Sequence, residues 1–168
     1  MIRTIVVLAL AAIFVTVAAC AGVQEPRPPG VTGISKPHDV VFARRILMSG
    51  ISGNMDEIIG ILEAPGDFDL LGAREHAAEI STMLLAFPHL FPPETDTWSK
   101  AFEEEDAARV SFAKSEVWQT FDDFYGRAQA ASQTALDASL AKRADQFKRL
   151  AQDLQQKCDA CHAQYRRY

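Results

Sequence analysis

Strand patterns, long basic runs and internal repeats are all missing from this chain of 168 residues. No segment alternates β-branched and polar residues between turn residues, so nothing in the sequence predicts a β-sheet. The net charge is −5, and no dense block of lysine and arginine occurs before the last few residues. A nucleic-acid partner is therefore not expected, because nonspecific binding to nucleic acid needs a basic surface.

Cysteine is also scarce, and the first of the three cysteines ends the one long apolar run. Arg3 precedes the run "TIVVLALAAIFVTVAA", and small residues close it, a pattern typical of a secretory signal peptide. The ending "VAAC" also resembles the bacterial lipobox, in which the cysteine is acylated. We therefore predict a lipoprotein-type signal peptide over residues 1–19, with Cys20 as a lipid anchor. The alternative is ordinary cleavage near Ala19 or Ala21.

The export signal divides the chain into three parts. Residues 20–37 are rich in proline and glycine and are predicted to form a flexible tether. Residues 38–168 are long enough for one domain of ordinary size. The predicted location is the periplasm, with attachment to a membrane if Cys20 carries a lipid.

Four stretches of helical periodicity account for most of the predicted domain. Apolar residues recur at spacings of three and four over about residues 38–62, 69–86, 107–131 and 136–166. The apolar stripes include Val41, Ile51 and Ile58 in the first, Ala73, Ala77, Ile80 and Leu84 in the second, Val110, Val117, Phe121 and Phe124 in the third, and Leu140, Phe147, Ala151 and Leu154 in the fourth. These stripes predict an all-α fold, an antiparallel up-down four-helix bundle. The proline-rich stretch "FPHLFPPETDTW" is not expected to be helical.

The remaining two cysteines lie in the sequence Cys158-Asp159-Ala160-Cys161-His162. A redox-active cysteine pair would need to begin a helix after a strand, and a structural zinc site would need four ligands. Neither context is present in the sequence. The spacing CxxCH is the attachment signature of c-type haem, in which both thiols bond to the porphyrin and the histidine binds the iron. We therefore predict one covalent haem c on Cys158 and Cys161, with His162 as an iron ligand, at the C-terminal end of the bundle.

Four motifs in the same order resemble those of class II c-type cytochromes, the cytochrome c′ family with its low-spin, six-coordinate relatives. These are "ARRILMSGISGNM", "AFPHLFPPET", "VWQTFDDF" and "CDACHAQYRRY". The resemblance covers about residues 38–168. Cytochrome c′ is a standard example of the up-down four-helix bundle, so the resemblance implies the same fold as the periodicity.

The resemblance also implies roles for residues of the first and last helices. Met48 occupies the position that faces the open side of the iron, where a methionine supplies a sixth ligand; the alternative is that Met48 only fills the core. Arg44 lies on the apolar stripe, where a charge needs a partner, and a haem propionate is the expected one. Met55 is expected to pack against the haem or the core, and Arg166 to lie beside the haem rim. Arg45 is expected to point away into solvent.

Two functions follow from the resemblance. The first is electron transfer in the periplasm, with His162 and Met48 as the iron ligands, and the partners would be periplasmic or membrane redox proteins. The alternative is a five-coordinate protein that binds nitric oxide or carbon monoxide. An enzyme is not expected, because no general base or nucleophile array accompanies the haem motif. The family is often dimeric, so a homodimer is also considered.

Overall fold

Four long helices form the framework of the protein. The computed structural model describes residues 36–105 and 110–167. The long helices are α1 (Pro37–Glu63), α2 (Leu70–Ala86), α5 (Phe121–Ser139) and α6 (Ala144–Tyr165), with two short helices, α3 (Lys100–Glu105) and α4 (Glu116–Gln119), between α2 and α5. Helix α1 packs against α2, α2 against α5, and α5 against α6. The predicted up-down four-helix bundle is therefore confirmed, and none of the described helices is long and apolar enough to cross a membrane.

Small side chains on α2 and α5 bring these two helices close together. Ala73 and Ala77 on α2 and Ala135 on α5 are completely buried. Between the same helices, the hydroxyl of Ser132 donates to the carbonyl oxygen of Ser81 at 2.9 Å. Larger side chains fill the core beside this contact, and they include Ile58, Ile80, Phe147 and Leu154. The predicted stripes of α1, α2 and α6 thus supply most of the main core.

The third predicted helix, over 107–131, is wrong at its start. Residues 110–115 are not helical in the structure, and α5 begins only at Phe121. The backbone of this segment instead pairs with the end of the chain, since Lys114 N donates to Tyr165 O at 2.9 Å and Arg167 N donates to Phe112 O at 2.8 Å. Long-range pairing has therefore replaced the local helical preference that the sequence pattern indicated.

The boundaries of α5 and α6 also correct two predicted core positions. Thr120, between α4 and α5, is not in a helical conformation, so the predicted third stripe is interrupted there. Phe121, which follows this break, is 36% exposed. Helix α6 begins at Ala144 and not near residue 136. Leu140 therefore lies in the turn after α5, where it is 55% exposed.

The proline-rich connection after α2 is partly helical, which corrects the expectation that it contains no helix. It forms two 3-10 turns, Phe87–Leu90 and Pro93–Thr95, each with a proline in its first positions, where a missing N–H does no harm. The indole N–H of Trp118 donates to the carbonyl oxygen of Phe91 at 3.0 Å and holds this connection against α4. The connection therefore forms one end of the bundle in a defined position.

The signal peptide predicted over residues 1–19 lies outside the described residues. The same holds for Cys20 and for residues 21–35 of the predicted tether. Helix α1 begins at Pro37, one residue before the predicted start of the domain.

Candidate functional site

A cavity of about 620 Å³ lies in the bundle, and both α1 and α6 line it. Among the described residues these two helices are not one of the closely packed pairs, so the cavity occupies the space between their facing sides. All seven residues predicted for the site line this cavity: Arg44, Met48, Met55, Cys158, Cys161, His162 and Arg166. The fold thus brings together side chains from the first and last helices, which are more than a hundred residues apart in the sequence.

The two cysteines occupy the last turns of α6 as free, half-buried thiols. Burial raises the pKa of the Cys158 thiol to about 11, and it also raises the pKa of Cys161. Both groups are therefore protonated at neutral pH and poorly suited to thiol–disulfide exchange, which proceeds through the thiolate. No group of three or more metal-binding side chains occurs in the described part of the chain, so no zinc site is formed there.

His162 follows Cys161 on α6 and is half-buried in the same cavity. Burial and the neighbouring charge of Arg166 lower the pKa of His162, whereas Asp159 opposes this effect. The imidazole is therefore neutral at pH 7, the form that binds a metal ion. The other three histidines, His38, His76 and His89, do not line the cavity.

Two methionines of α1 face the cavity two helical turns apart. Met55 is buried, with 7% of its surface exposed, whereas Met48 is half-buried. Gly50 lies between the two methionines in the sequence, and a Cβ atom added there would lie 2.9 Å from Met83 Sδ on α2. Gly50 therefore permits close packing of α1 on α2, away from the cavity.

Arg44 is buried at the edge of the cavity, with 5% of its surface exposed. Its guanidinium donates to Thr95 Oγ1 at 3.2 Å, Thr95 O at 3.3 Å and Ser111 Oγ at 3.2 Å, and it lies 4.3 Å from the centre of the Phe91 ring. Burial lowers the pKa of Arg44 to about 10, although Asp96 opposes the change. All the hydrogen-bond partners in the described part of the chain are neutral. The buried cation thus has room for an anionic partner from within the cavity.

The charged groups around the cavity are mostly cationic. Five cations line it, namely Arg44, Arg45, Arg127, Lys157 and Arg166, against two carboxylates, Asp56 and Asp159. Arg45 was expected in solvent, but it lines the cavity with its guanidinium 5.2 Å from the Phe112 ring. The non-helical segment that contains Phe112 brings this ring to the cavity, and the sequence pattern did not predict that segment. Arg127 and Lys157 are already paired with Asp123 and Asp153, so it is mainly Arg44 and Arg166 that suit an anionic ligand.

Arg127 is a second cavity residue that the sequence interpretation missed. It lies on α5, and its Nε donates to Asp123 Oδ2 at 2.7 Å. The signal in the sequence was the spacing of four between Asp123 and Arg127, which predicts an ion pair on one helix face but not what that face contacts.

Comparison with known proteins shows what the chain as a whole is similar to. The family model for cytochrome c′ matches residues 39–166. A curated relative, cytochrome c-556 of Agrobacterium tumefaciens (strain II Chrys), is 30% identical over 128 residues, which is 75% of this chain and 95% of the relative. Cytochrome c prime from Shewanella frigidimarina superposes with a TM-score of 0.68 at 17% identity, covering 80% of this chain and 99% of that one. A cytochrome c′ described as having an unusual ligand-controlled dimer dissociation gives a TM-score of 0.67 at 21% identity, with 82% and 100% coverage.

Proposed function

Because the chain belongs to the cytochrome c′ family and its cofactor is haem c, we propose that it transfers electrons, with His162 and Met48 as the two ligands of the haem iron. The observation that carries this proposal is that Met48 and His162 line one cavity from different helices. With His162 of α6 and Met48 of α1 both bound to it, the iron would have no position left for an external molecule. A six-coordinate site of this kind favours electron transfer over the binding of an external ligand.

The cavity suits a covalent haem in size, charge and donor atoms. Its volume of about 620 Å³ falls in the usual range for sites that enclose a cofactor. Cys158 and Cys161 are three residues apart on α6, so both thiols lie on one helix face. Arg44, with neutral hydrogen-bond partners only, would hold the negative charge of a propionate. Bound haem c supplies a one-electron Fe(III)/Fe(II) couple.

The surrounding side chains would control the environment of the iron. Phe87, Phe91 and Phe124 line the cavity, and their apolar rings would limit the access of water to the iron. The thioether of Met48 would stabilise the reduced state and raise the reduction potential. These residues bind and shield the group, and the proposed role includes no catalysed reaction.

Gas binding is the second candidate, and one observation favours it. Besides Met48, the cavity wall includes the apolar side chains of Ile51 on α1, Leu84 on α2 and Phe87 directly after α2. Such a wall could enclose a small neutral molecule if Met48 did not bind the iron. The coordination state of Met48 therefore separates the two functions.

Absorption spectra of the oxidised holoprotein and of two variants test the proposal. We expect the weak long-wavelength band typical of methionine bound to Fe(III). Met48→Leu should remove it, convert the iron to the high-spin state and speed up carbon monoxide binding to the reduced protein. Met55→Leu is the matched control, because it changes a methionine in the same cavity and should keep the low-spin spectrum. A wild-type protein that is already high-spin would overturn the proposal in favour of gas binding.

We further propose that the protein acts in the periplasm, held to a membrane by a lipid on Cys20, and exchanges electrons with periplasmic or membrane redox proteins. The export pattern of residues 1–19 supports this proposal. A homodimer is supported by the dimer described for one of the structural relatives.

A further inference from the structure

Three exposed rings form a continuous patch where α5 meets the proline-rich connection. Phe121 and Tyr125 are each 36% exposed, and their ring centres lie 6.2 Å apart. The ring of His89, also exposed, meets Tyr125 edge-on at 5.8 Å. We call Phe121, Tyr125 and His89 the aromatic patch. None of the three lines the cavity, so the site described above does not explain their exposure.

Ring contacts connect the aromatic patch with the wall of the cavity. The Phe121 ring centre lies 6.0 Å from that of Phe124, which is buried and lines the cavity. Phe124 in turn contacts Tyr165 edge-on at 5.3 Å, and Tyr165 also lines the cavity. A single buried ring therefore separates the exposed patch from the space assigned to the haem. A molecule that docked on the patch would come close to the cofactor.

The exposure of two neighbouring aromatic side chains is typical of a protein contact. Tyrosine and phenylalanine are enriched at interfaces, where aromatic anchors contribute most of the binding energy. Complexes of redox proteins are among the smallest specific interfaces, with less than about 1,200 Å² of total buried surface. A patch of three rings is consistent with a contact of that size.

The charges around the aromatic patch indicate the kind of partner. Between residues 116 and 139 there are four carboxylates and one guanidinium, that of Arg127. Arg127 is paired with Asp123, whereas Glu116 and Asp122, which directly follows Phe121, form no ion pair with the residues that the structure describes. The whole chain also has a net charge of −5. A partner with a basic surface would be attracted to this face, and salt would screen the attraction.

We propose that the aromatic patch is the docking surface for a small electron-transfer protein with a basic surface. This inference rests on the proposed electron-transfer function. The partner places an apolar contact on Phe121 and Tyr125, and its basic side chains face the carboxylates at the start of α5.

The test measures electron transfer from the reduced holoprotein to two oxidants. Mitochondrial cytochrome c serves as the basic protein probe, and hexaammineruthenium(III) serves as a small cation that needs no docking surface. We expect Phe121→Ala/Tyr125→Ala to lower the rate constant with cytochrome c about tenfold and to leave the rate with the ruthenium complex unchanged. Phe42→Ala, which removes a more exposed ring on α1, is the matched control and should keep both rates.

A second pair of variants tests the charge without altering the apolar contact. Asp122→Asn should slow the reaction with cytochrome c at low ionic strength but not at high ionic strength. Asp137→Asn, on the same helix but about four turns away, should have no effect. In nuclear magnetic resonance spectra, addition of cytochrome c should shift the amide signals of the patch.

The outcomes separate this inference from the proposed function. Wild-type rates in the Phe121→Ala/Tyr125→Ala variant, or an equal loss in Phe42→Ala, would overturn the docking surface while leaving electron transfer intact. A wild-type protein that reduces neither oxidant would overturn the proposed function itself.

Discussion

The hydroxyl group of Tyr165 donates a hydrogen bond to Asp123 Oδ2 at 2.5 Å. This contact joins the last turn of α6, directly after the CxxCH motif, to the first turn of α5. The same hydroxyl lies 3.0 Å from Thr120 Oγ1, and the same carboxylate accepts from Arg127. The end of the haem-binding helix is therefore held in place by a polar cluster beside the cavity.

Loss of the Tyr165 hydroxyl should weaken this end of the bundle. We expect Tyr165→Phe to reduce the free energy of unfolding of the holoprotein by about 1–2 kcal/mol, because a hydrogen bond to a charged acceptor is lost. Denaturant unfolding followed by circular dichroism would measure the change. Tyr125→Phe is the control, because Tyr125 is on the surface and its ring contact with His89 is kept. Equal stability of both variants would show that the cluster does not stabilise the fold.

The Asp123 carboxylate should make the free energy of unfolding fall as the solution becomes acidic. Hydrogen bonds from Arg127 and Tyr165 hold the pKa of Asp123 below its ordinary value of 3.8. A group whose pKa is lowered by folding stabilises the protein above its unfolded pKa, and this contribution disappears as the pH falls through the folded value. Asp123→Asn should therefore be less stable than wild type at pH 7, and the difference should shrink below about pH 4. A difference that stays constant with pH would contradict this explanation.

Covalent attachment of the haem should depend on both thiols of α6. In the wild type, haem should remain with the protein after acid–acetone extraction, because thioether bonds survive denaturation. Cys158→Ala/Cys161→Ala should release the haem into the solvent and yield little stable holoprotein. Cys20→Ser is the matched control, since it removes the one cysteine that is not part of the CxxCH motif and should keep the haem attached. Extractable haem in the wild type would show that the attachment is not covalent.

Arg44 should stabilise the holoprotein only if an anion, such as a haem propionate, compensates its charge. Removing one member of a buried ion pair destabilises a protein by about 3 kcal/mol or more. We expect a loss of that order for Arg44→Met in the holoprotein, measured by denaturant unfolding. Arg149→Met is the control, because Arg149 makes an exposed ion pair with Asp145 and its loss should change stability by about 1 kcal/mol or less. An unchanged or increased stability of Arg44→Met would mean that no propionate contacts Arg44.

Membrane attachment is predicted to depend on Cys20. Wild-type protein should fractionate with membranes in a bacterial host that processes lipoproteins, because the acylated cysteine anchors the chain. Cys20→Ser should appear in the periplasmic fraction or accumulate unprocessed. Equal distribution of both proteins would indicate an ordinary signal peptide followed by a plain linker.

Helix periodicity predicted most of the fold because the local signals were strong. The first two helices were predicted to within one residue at each end, since the turn at Pro65 and Gly66 and the prolines after residue 86 interrupt the pattern clearly. The CxxCH motif is equally local, and the resemblance to a known family supplied Met48 and Arg44. The structure brings all of these side chains to one cavity.

The parts that the sequence did not predict depend on contacts between distant residues. Residues 110–115 have an apolar periodicity that fits a helix, yet their backbone pairs with the end of α6. That pairing brings Phe112 to the cavity beside Arg45. No spacing within either segment indicates this arrangement, because the two partners are about fifty residues apart.

The pairing of residues 112–114 with 165–167 also has a consequence for the order of folding. Helices α5 and α6 are joined by a short turn, so they can form a hairpin early, and this hairpin brings the end of α6 beside Thr120 and Asp123 at the start of α5. Residues 110–115 are expected to pair with the end of the chain only after this step, because without the hairpin they would have to close a loop of about fifty residues. One wall of the cavity, formed by Ser111, Phe112 and Ala113, is thus expected to close last. Until it does, the side of α6 that presents the two thiols stays accessible. The haem is therefore expected to be attached during this interval.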